Sequence, residues 1–264
     1  MIPYKNAHFF ILALIPASLV AFWPGFFSAM SQASLAVHIH SWSATAWVLL
    51  LASQSWSIHN GRHALHRFTG MLSLAIFPVF LASFLLVIQS EAQTVLDGNP
   101  YRAVFAPGIG VLTLVAFFAI GLLYYGGLKN RSNIQLHARY MLAIPFLFTE
   151  SIFGRVFNAF LPGLTVNSLD DIRNIYWAIH LSQALAIGLA AFLYFQNRKF
   201  GAPFLIVGMA LILQSLGLEI FDDLGWWRNV YLASAERPLA VPLLIGLIAA
   251  ITIAWRGWVS GKRL

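Results

Sequence analysis

The sequence predicts an all-α fold, a polytopic membrane helical bundle of about eight transmembrane helices. Three observations carry that prediction. Of 264 residues, 59% are hydrophobic and only 9% charged, where a soluble domain is roughly one quarter charged; lipid is the solvent that suits such a chain. Apolar stretches follow one another over about 8–29, 35–57, 67–90, 103–128, 138–161, 172–196, 203–220 and 238–258, and a span needs ~20 such residues. None of them alternates with period two, as a barrel strand does, and helices satisfy their own backbone in hydrocarbon.

The connections are short, so residues 1–264 read as a single integral membrane domain. The absence of cysteine excludes disulfides, thiolate metal sites and cysteine nucleophiles. The net charge of +7 is a topology signal. With the N-terminus in the cytoplasm, the inner segments hold Lys5, Arg62, Arg67, Lys129, Arg131, Arg139, Arg198, Lys199, Arg256, Lys262 and Arg263, and no acid. The outer segments hold only Arg102, Arg173, Arg228 and Arg237, against eight acids. This is the positive-inside pattern, with both termini cytoplasmic. The implied partner is the lipid bilayer, not nucleic acid. The expected location is a bacterial inner membrane.

The first stretch is too long for a signal peptide, carries Pro16 and Pro24, and lacks a small-residue cleavage site, so it reads as a retained helix. The second stretch carries His38 and His40 near its outer end and stops at Asn60-Gly61, a strong turn signal. The third follows Leu65-His66, and the fifth follows Leu136-His137. This echo reads as a parallel repeat of two helical hairpins. Pro78, Pro107, Pro145 and Pro242 predict kinks. In the sixth stretch Ala184 and Gly188 suit close helix contact. Trp226, Trp227 and Tyr231 suit an interfacial aromatic belt. Gly108-x-Gly110 has no strand before it and does not read as a nucleotide loop.

Glu150 and Arg155, inside the fifth stretch, are the candidate catalytic residues. A charge in hydrocarbon costs at least ~2.5–3.5 kcal/mol, so intramembrane ionisable groups point to function or to a structural polar network. Five residues apart, they do not share a helix face. His40 and His180 lie at outer depths of ~7 and ~12 Å. With Arg155, Gln183 and Glu219 they form a candidate outward polar pocket. His38 points almost opposite to His40.

On the inner side lie His59, His63, His66 and His137. Their spacing resembles a helical metal site, but the Asn60-Gly61 turn interrupts it, and Arg62 and Arg67 repel a dication. A b-type haem needs one axial histidine from each of two helices and basic partners for its propionates. His66 with His137, and His40 with His180, are the candidate axial pairs, with Arg62, Arg67 and Arg139 as propionate partners. This layout resembles cytochrome b561 and related transmembrane ferric reductases, which implies two haems and transmembrane electron transfer.

A second resemblance is closer in sequence. His40, Gln54, Leu65-His66-Arg67 and Gly70, then His137, Arg139, Met141, Arg155 and Pro162, resemble a family of predicted bacterial membrane proteins of unknown function. Thr69 and Met71 depart from that family's pattern, and Glu150 and His180 are not part of it. The resemblance implies a fold and a set of positions, and no reaction. The leading expectation is therefore a haem-binding transmembrane electron carrier. The alternatives are a small-solute or proton-coupled transporter, a metal-assisted hydrolase, or an accessory factor without chemistry.

Overall fold

The computed structural model describes residues 2–261; Lys262 and Arg263, counted above among the inner charges, lie outside them. Among the described residues the chain is helical, without strands. The helices are α1 (Ala7–Phe22), α2 (Leu35–His59), α3 (His63–Leu96), α4 (Pro100–Lys129), α5 (Ile134–Ala143), α6 (Thr149–Phe160), α7 (Arg173–Gln196), α8 (Ala202–Phe221), α9 (Gly225–Ala235) and α10 (Ala240–Ser260). Among the described residues seven segments are long and apolar enough to cross a membrane, α5 and α6 counting as one. The protein is an integral membrane helical bundle.

Local chemistry sets the helix ends. The Ser34 hydroxyl caps α2 by accepting from Val37 N. Asn99 caps α4, with Pro100 at its first position. The Asn133 carboxamide accepts from Gln135 N and Leu136 N to start α5. Asn60-Gly61 ends α2 as expected, with Gly61 at φ 68°, a left-handed conformation that glycine adopts without steric cost.

Several expectations change. The first span is a helix of only 16 residues, about 24 Å long; Pro24 follows it, and a 3-10 segment, Phe27–Gln32, fills the rest. Pro242 lies in the first turn of α10, where the missing N–H costs nothing. Pro145 does more than kink its helix: a 3-10 stretch, Ile144–Phe148, separates α5 from α6. Ala184 and Gly188 are exposed, and a Cβ on Gly188 would touch nothing within 4 Å. The close approach occurs at Gly246 instead, where a Cβ would lie 2.5 Å from Ala82 Cα, so α10 packs directly on α3. Trp226 is 59% exposed and suits the interface, but Trp227 and Tyr231 are core residues on α9. The Trp227 indole donates to Pro107 O at 2.8 Å, and Tyr231 lies against Gly110.

The helices close a ring. α1 packs on α2, α2 on α3, α3 on α4, α4 on α8, α8 on α7, α7 on α6 and α6 back on α1; α10 covers α3 and α4 from outside. α5 fills the inner half of the ring against α4 and α8. At mid-depth sits an aromatic layer: Trp47, Phe77, Phe80 and Tyr124 are all 0% exposed. Trp47 stacks on Phe80 at 5.3 Å and Phe77 on Tyr124 at 3.7 Å. Phe148, from the 3-10 break, meets Phe80 edge-on at 5.8 Å.

At the outer end, Asp222 ties three helices together. It follows α8, accepts from Gly108 N of α4 at 3.3 Å and accepts from the Tyr176 hydroxyl of α7. Burial, with the nearby Asp223 carboxylate, outweighs these bonds and Arg228 and pushes the Asp222 carboxyl up. A carboxyl raised on folding favours the fold while protonated and loses that contribution as pH rises through its folded pKa. The thermal midpoint in detergent should therefore fall as pH is raised above the ordinary carboxylate range, and Asp222→Asn should flatten that part of the profile.

Candidate functional site, an outward-facing polar chamber

The break in the fifth pass builds the site. α5 lies against α4, but after the 3-10 stretch α6 swings away and packs on α1 and α7. Among the described residues α6 has no extended packing on α2, α3 or α4.

Arg155, on α6, is exposed. Its Nη1 donates to Ser151 O at 2.7 Å, and its guanidinium stacks over the Phe22 ring at 4.6 Å. Phe22 is the last residue of α1, so Arg155 sits in the outer part of the bundle. Its charge reaches His40 on α2, Glu150, Glu91 on α3 and Arg102 on α4. No carboxylate approaches it within ion-pair distance among the described residues. Glu91 pairs with Arg102 at 2.7 Å and forms the outer rim.

Glu150 lies in the first turn of α6, where the helix dipole favours a carboxylate. Its Oε1 accepts from the Ser151 hydroxyl at 2.7 Å. Glu150 and Arg155 thus share Ser151 without an ion pair, as expected for residues on different faces. Glu150 is ten residues from the end of α6, about 15 Å below the outer end.

His40 is positioned by Ser83. The Ser83 hydroxyl donates to Phe80 O at 2.6 Å and accepts from His40 Nδ1 at 2.9 Å. The proton therefore sits on Nδ1, and in the neutral ring Nε2 keeps its lone pair. Phe84 meets the His40 ring edge-on at 5.0 Å. Phe84 in turn meets Phe80 of the aromatic layer edge-on at 5.3 Å.

Of the expected outer pocket, His40 and Arg155 lie within electrostatic range of each other, and Glu150 lies within range of Arg155 as well. His180 does not join them. Both its nitrogens are engaged, Nε2 with Glu219 Oε1 and Nδ1 with Ser215 Oγ, each at 2.7 Å. Arg173 also binds Glu219, so His180 and Glu219 lock α7 to α8. Gln183 is buried at 1% exposure with both amide atoms unpartnered. His38 leans away from His40, as expected, and bonds Met30 O at 3.0 Å through Nε2.

On the inner side His66 and His137 make similar bonds. His66 Nδ1 donates to Gln54 O of α2 at 3.2 Å, and His137 Nδ1 donates to Gly127 O of α4 at 2.8 Å. Each histidine pins the start of its helix to the end of the preceding one. Gln54 returns the bond, donating to His66 O at 2.7 Å and to the Thr69 hydroxyl. The arginines do not gather there. Arg62 is exposed and its guanidinium lies 5.9 Å from the centre of the Trp56 ring; Arg67 is exposed. Arg139 is 5% exposed, binds Gln135 and packs over Tyr4 and Phe200. His59 is bonded to Ser55 O within its own helix, and His63 is exposed.

These donors do not fit two haems stacked across the membrane. An axial ligand needs a free nitrogen, and His180 has none. A propionate needs basic partners, and Arg139 is committed elsewhere. Among the described residues no group of three His, Cys, Asp or Glu could hold a metal ion.

Sequence reasoning missed Ser83, Phe22 and the Glu91–Arg102 rim. Only Pro145 signalled the break that opens the chamber. Among the described residues Arg155 has no ion pair, only the Ser151 O bond and the Phe22 contact, so Arg155→Gln should change the thermal midpoint in detergent by no more than a few degrees. A fall of several degrees would make Arg155 structural.

Comparison with protein-family models, curated proteins and solved structures finds no match to this chain in any of the three.

Proposed function

We propose that the protein is a carrier for a small anion, with Arg155 binding the anion and Glu150 carrying a coupled proton. The observation that supports this most is Arg155 itself. A guanidinium in a recess of a lipid-embedded bundle, with no carboxylate partner among the described residues, is a site awaiting an anion. The fold adds support. Carriers place their sites at helices interrupted in mid-membrane, where a half-helix N-terminus faces the substrate. Here α6 begins in mid-membrane at Thr149, beside Glu150. His40 Nε2 offers the anion a further polar contact.

The chemistry follows from position. An anion entering past Glu91 and Arg102 meets Arg155 next. Charge arriving at Arg155 raises the proton affinity of the nearby Glu150 carboxylate, so anion and proton load together. Passage inward requires the aromatic layer to part, because Trp47, Phe77, Phe80 and Tyr124 close the floor. On this reading the state described is the outward-facing one. The positive-inside charge asymmetry and the resemblance to predicted bacterial membrane proteins support the inner membrane of a bacterium as its location.

The test is transport in proteoliposomes, with a pH dye inside and acetate, lactate, phosphate or sulfate added outside. Wild type should acidify the lumen with at least one of these anions. Arg155→Gln should abolish the response. Glu150→Gln should abolish proton movement while anion exchange, followed with the labelled anion, persists. Loss of neither activity in the variants would remove the proposal.

A further inference from the structure

His180 takes no part in the chamber, but its hydrogen bonds have a direction. We propose that Ser215, His180 and Glu219 form a nucleophilic triad, open to lipid along the seam between α7 and α8, that cleaves the carboxylic ester of a membrane lipid. The site is independent of the anion-carrier reading.

The partners set the polarity of the triad. Glu219 pairs with Arg173, and a carboxylate only accepts. The proton shared with its Oε1 at 2.7 Å therefore sits on His180 Nε2. In the neutral ring Nδ1 keeps its lone pair, and the Ser215 hydroxyl donates to it at 2.7 Å. Both bonds have the length at which a base takes a proton from its nucleophile. The two ring nitrogens exchange the roles they have in the Ser-His-Asp triad of the serine proteases, which leaves the direction of proton flow unchanged.

Helix packing supplies this geometry. Ser215 and Glu219 are four residues apart on α8 and share a face, and α7 packs along α8. Ser215 lies six residues before the end of α8 at Phe221, about 9 Å below it.

The surroundings name the substrate class. The His180 and Glu219 side chains keep 20% and 35% exposure. Around them Trp177, Leu181, Ile212 and Leu216 are exposed on the same two helices. In a membrane that surface meets acyl chains, so a molecule that reaches Ser215 from this side arrives through lipid. The chemistry is acyl transfer. Ser215 Oγ attacks the ester carbonyl carbon as its proton passes to His180 Nδ1. The bond from that carbon to the glycerol oxygen breaks, and the proton on Nδ1 goes to that oxygen. Water, entering past the exposed Arg173 at the outer end, then attacks the acyl-serine by the same proton path and releases a fatty acid. Nothing is oxidised or reduced. Glu219 stays a carboxylate and acts as a positioning residue that steadies the imidazolium.

The test uses the full chain in detergent with a fluorophosphonate that carries a long alkyl chain. Wild type should form a covalent adduct, and peptide mass spectrometry should place it on Ser215. In mixed micelles wild type should release fatty acid from a long-chain glycerophospholipid faster than it releases acetate from triacetin. Ser215→Ala should abolish both adduct and hydrolysis with the gel-filtration profile unchanged. Glu219→Gln should lower kcat at least about tenfold with KM unchanged. Wild type without an adduct on Ser215 would overturn the proposal whatever the variants do. So would hydrolysis that survives Ser215→Ala, an unchanged kcat in Glu219→Gln, or triacetin cleaved as fast as the phospholipid.

Discussion

Hydrocarbon cannot solvate a charge, and a membrane protein must hydrate, match or bind whatever ionisable groups it buries. In this chain the constraint falls on Arg155 and Glu150. They are the ionisable pair of α6, and they do not neutralise each other: Arg155 bonds Ser151 O, and Glu150 bonds the Ser151 hydroxyl. The bundle accommodates them by opening. Pro145 and the 3-10 stretch after α5 let α6 leave α4 and lean on α1 and α7. Both groups lie on the helix that this break sets apart from α4.

The rest of the architecture serves that opening. The inner half of the ring is closed by α5 and by the aromatic layer of Trp47, Phe77, Phe80 and Tyr124. The outer half is stiffened around the recess. Asp222 joins α4, α7 and α8, and His180 with Glu219 locks α7 to α8. α9 seats Trp227 and Tyr231 on the outer ends of α3 and α4. α3 and α4 are 34 and 30 residues long, or about 51 and 45 Å. Both exceed a hydrocarbon core of ~30 Å, which gives α9 its platform.

The fold class was legible in the sequence because burial in lipid leaves a compositional signature along every span. So was the hairpin echo: Leu65-His66 and Leu136-His137 share one task, a bond to the preceding helix. Of the polar cluster, His40, Glu150 and Arg155 were legible because a charged or polar group in an apolar run is costly and conspicuous. Depth alone misled at His180, which lies near the right level but turns its nitrogens to Glu219 and Ser215. Spans give depth and not rotation, so the facing helix is invisible. Trp227 and Tyr231 misled for a related reason: an aromatic side chain looks the same in sequence at a lipid interface and in a core. Ser83 left no signal, since serine is common in spans and acts here only through His40.

The central claim is that water reaches Arg155 from one side of the membrane. The chain has no cysteine, so a single introduced thiol reports directly. Arg155→Cys and Phe118→Cys, the latter 67% exposed in mid-α4, should be treated in sealed vesicles with a membrane-impermeant methanethiosulfonate reagent. Such reagents need a hydrated thiolate. The account predicts that Arg155→Cys is modified from the outer face only, while lipid-facing Phe118→Cys is not. An unreactive Arg155→Cys, or equal reactivity at both positions, would contradict it.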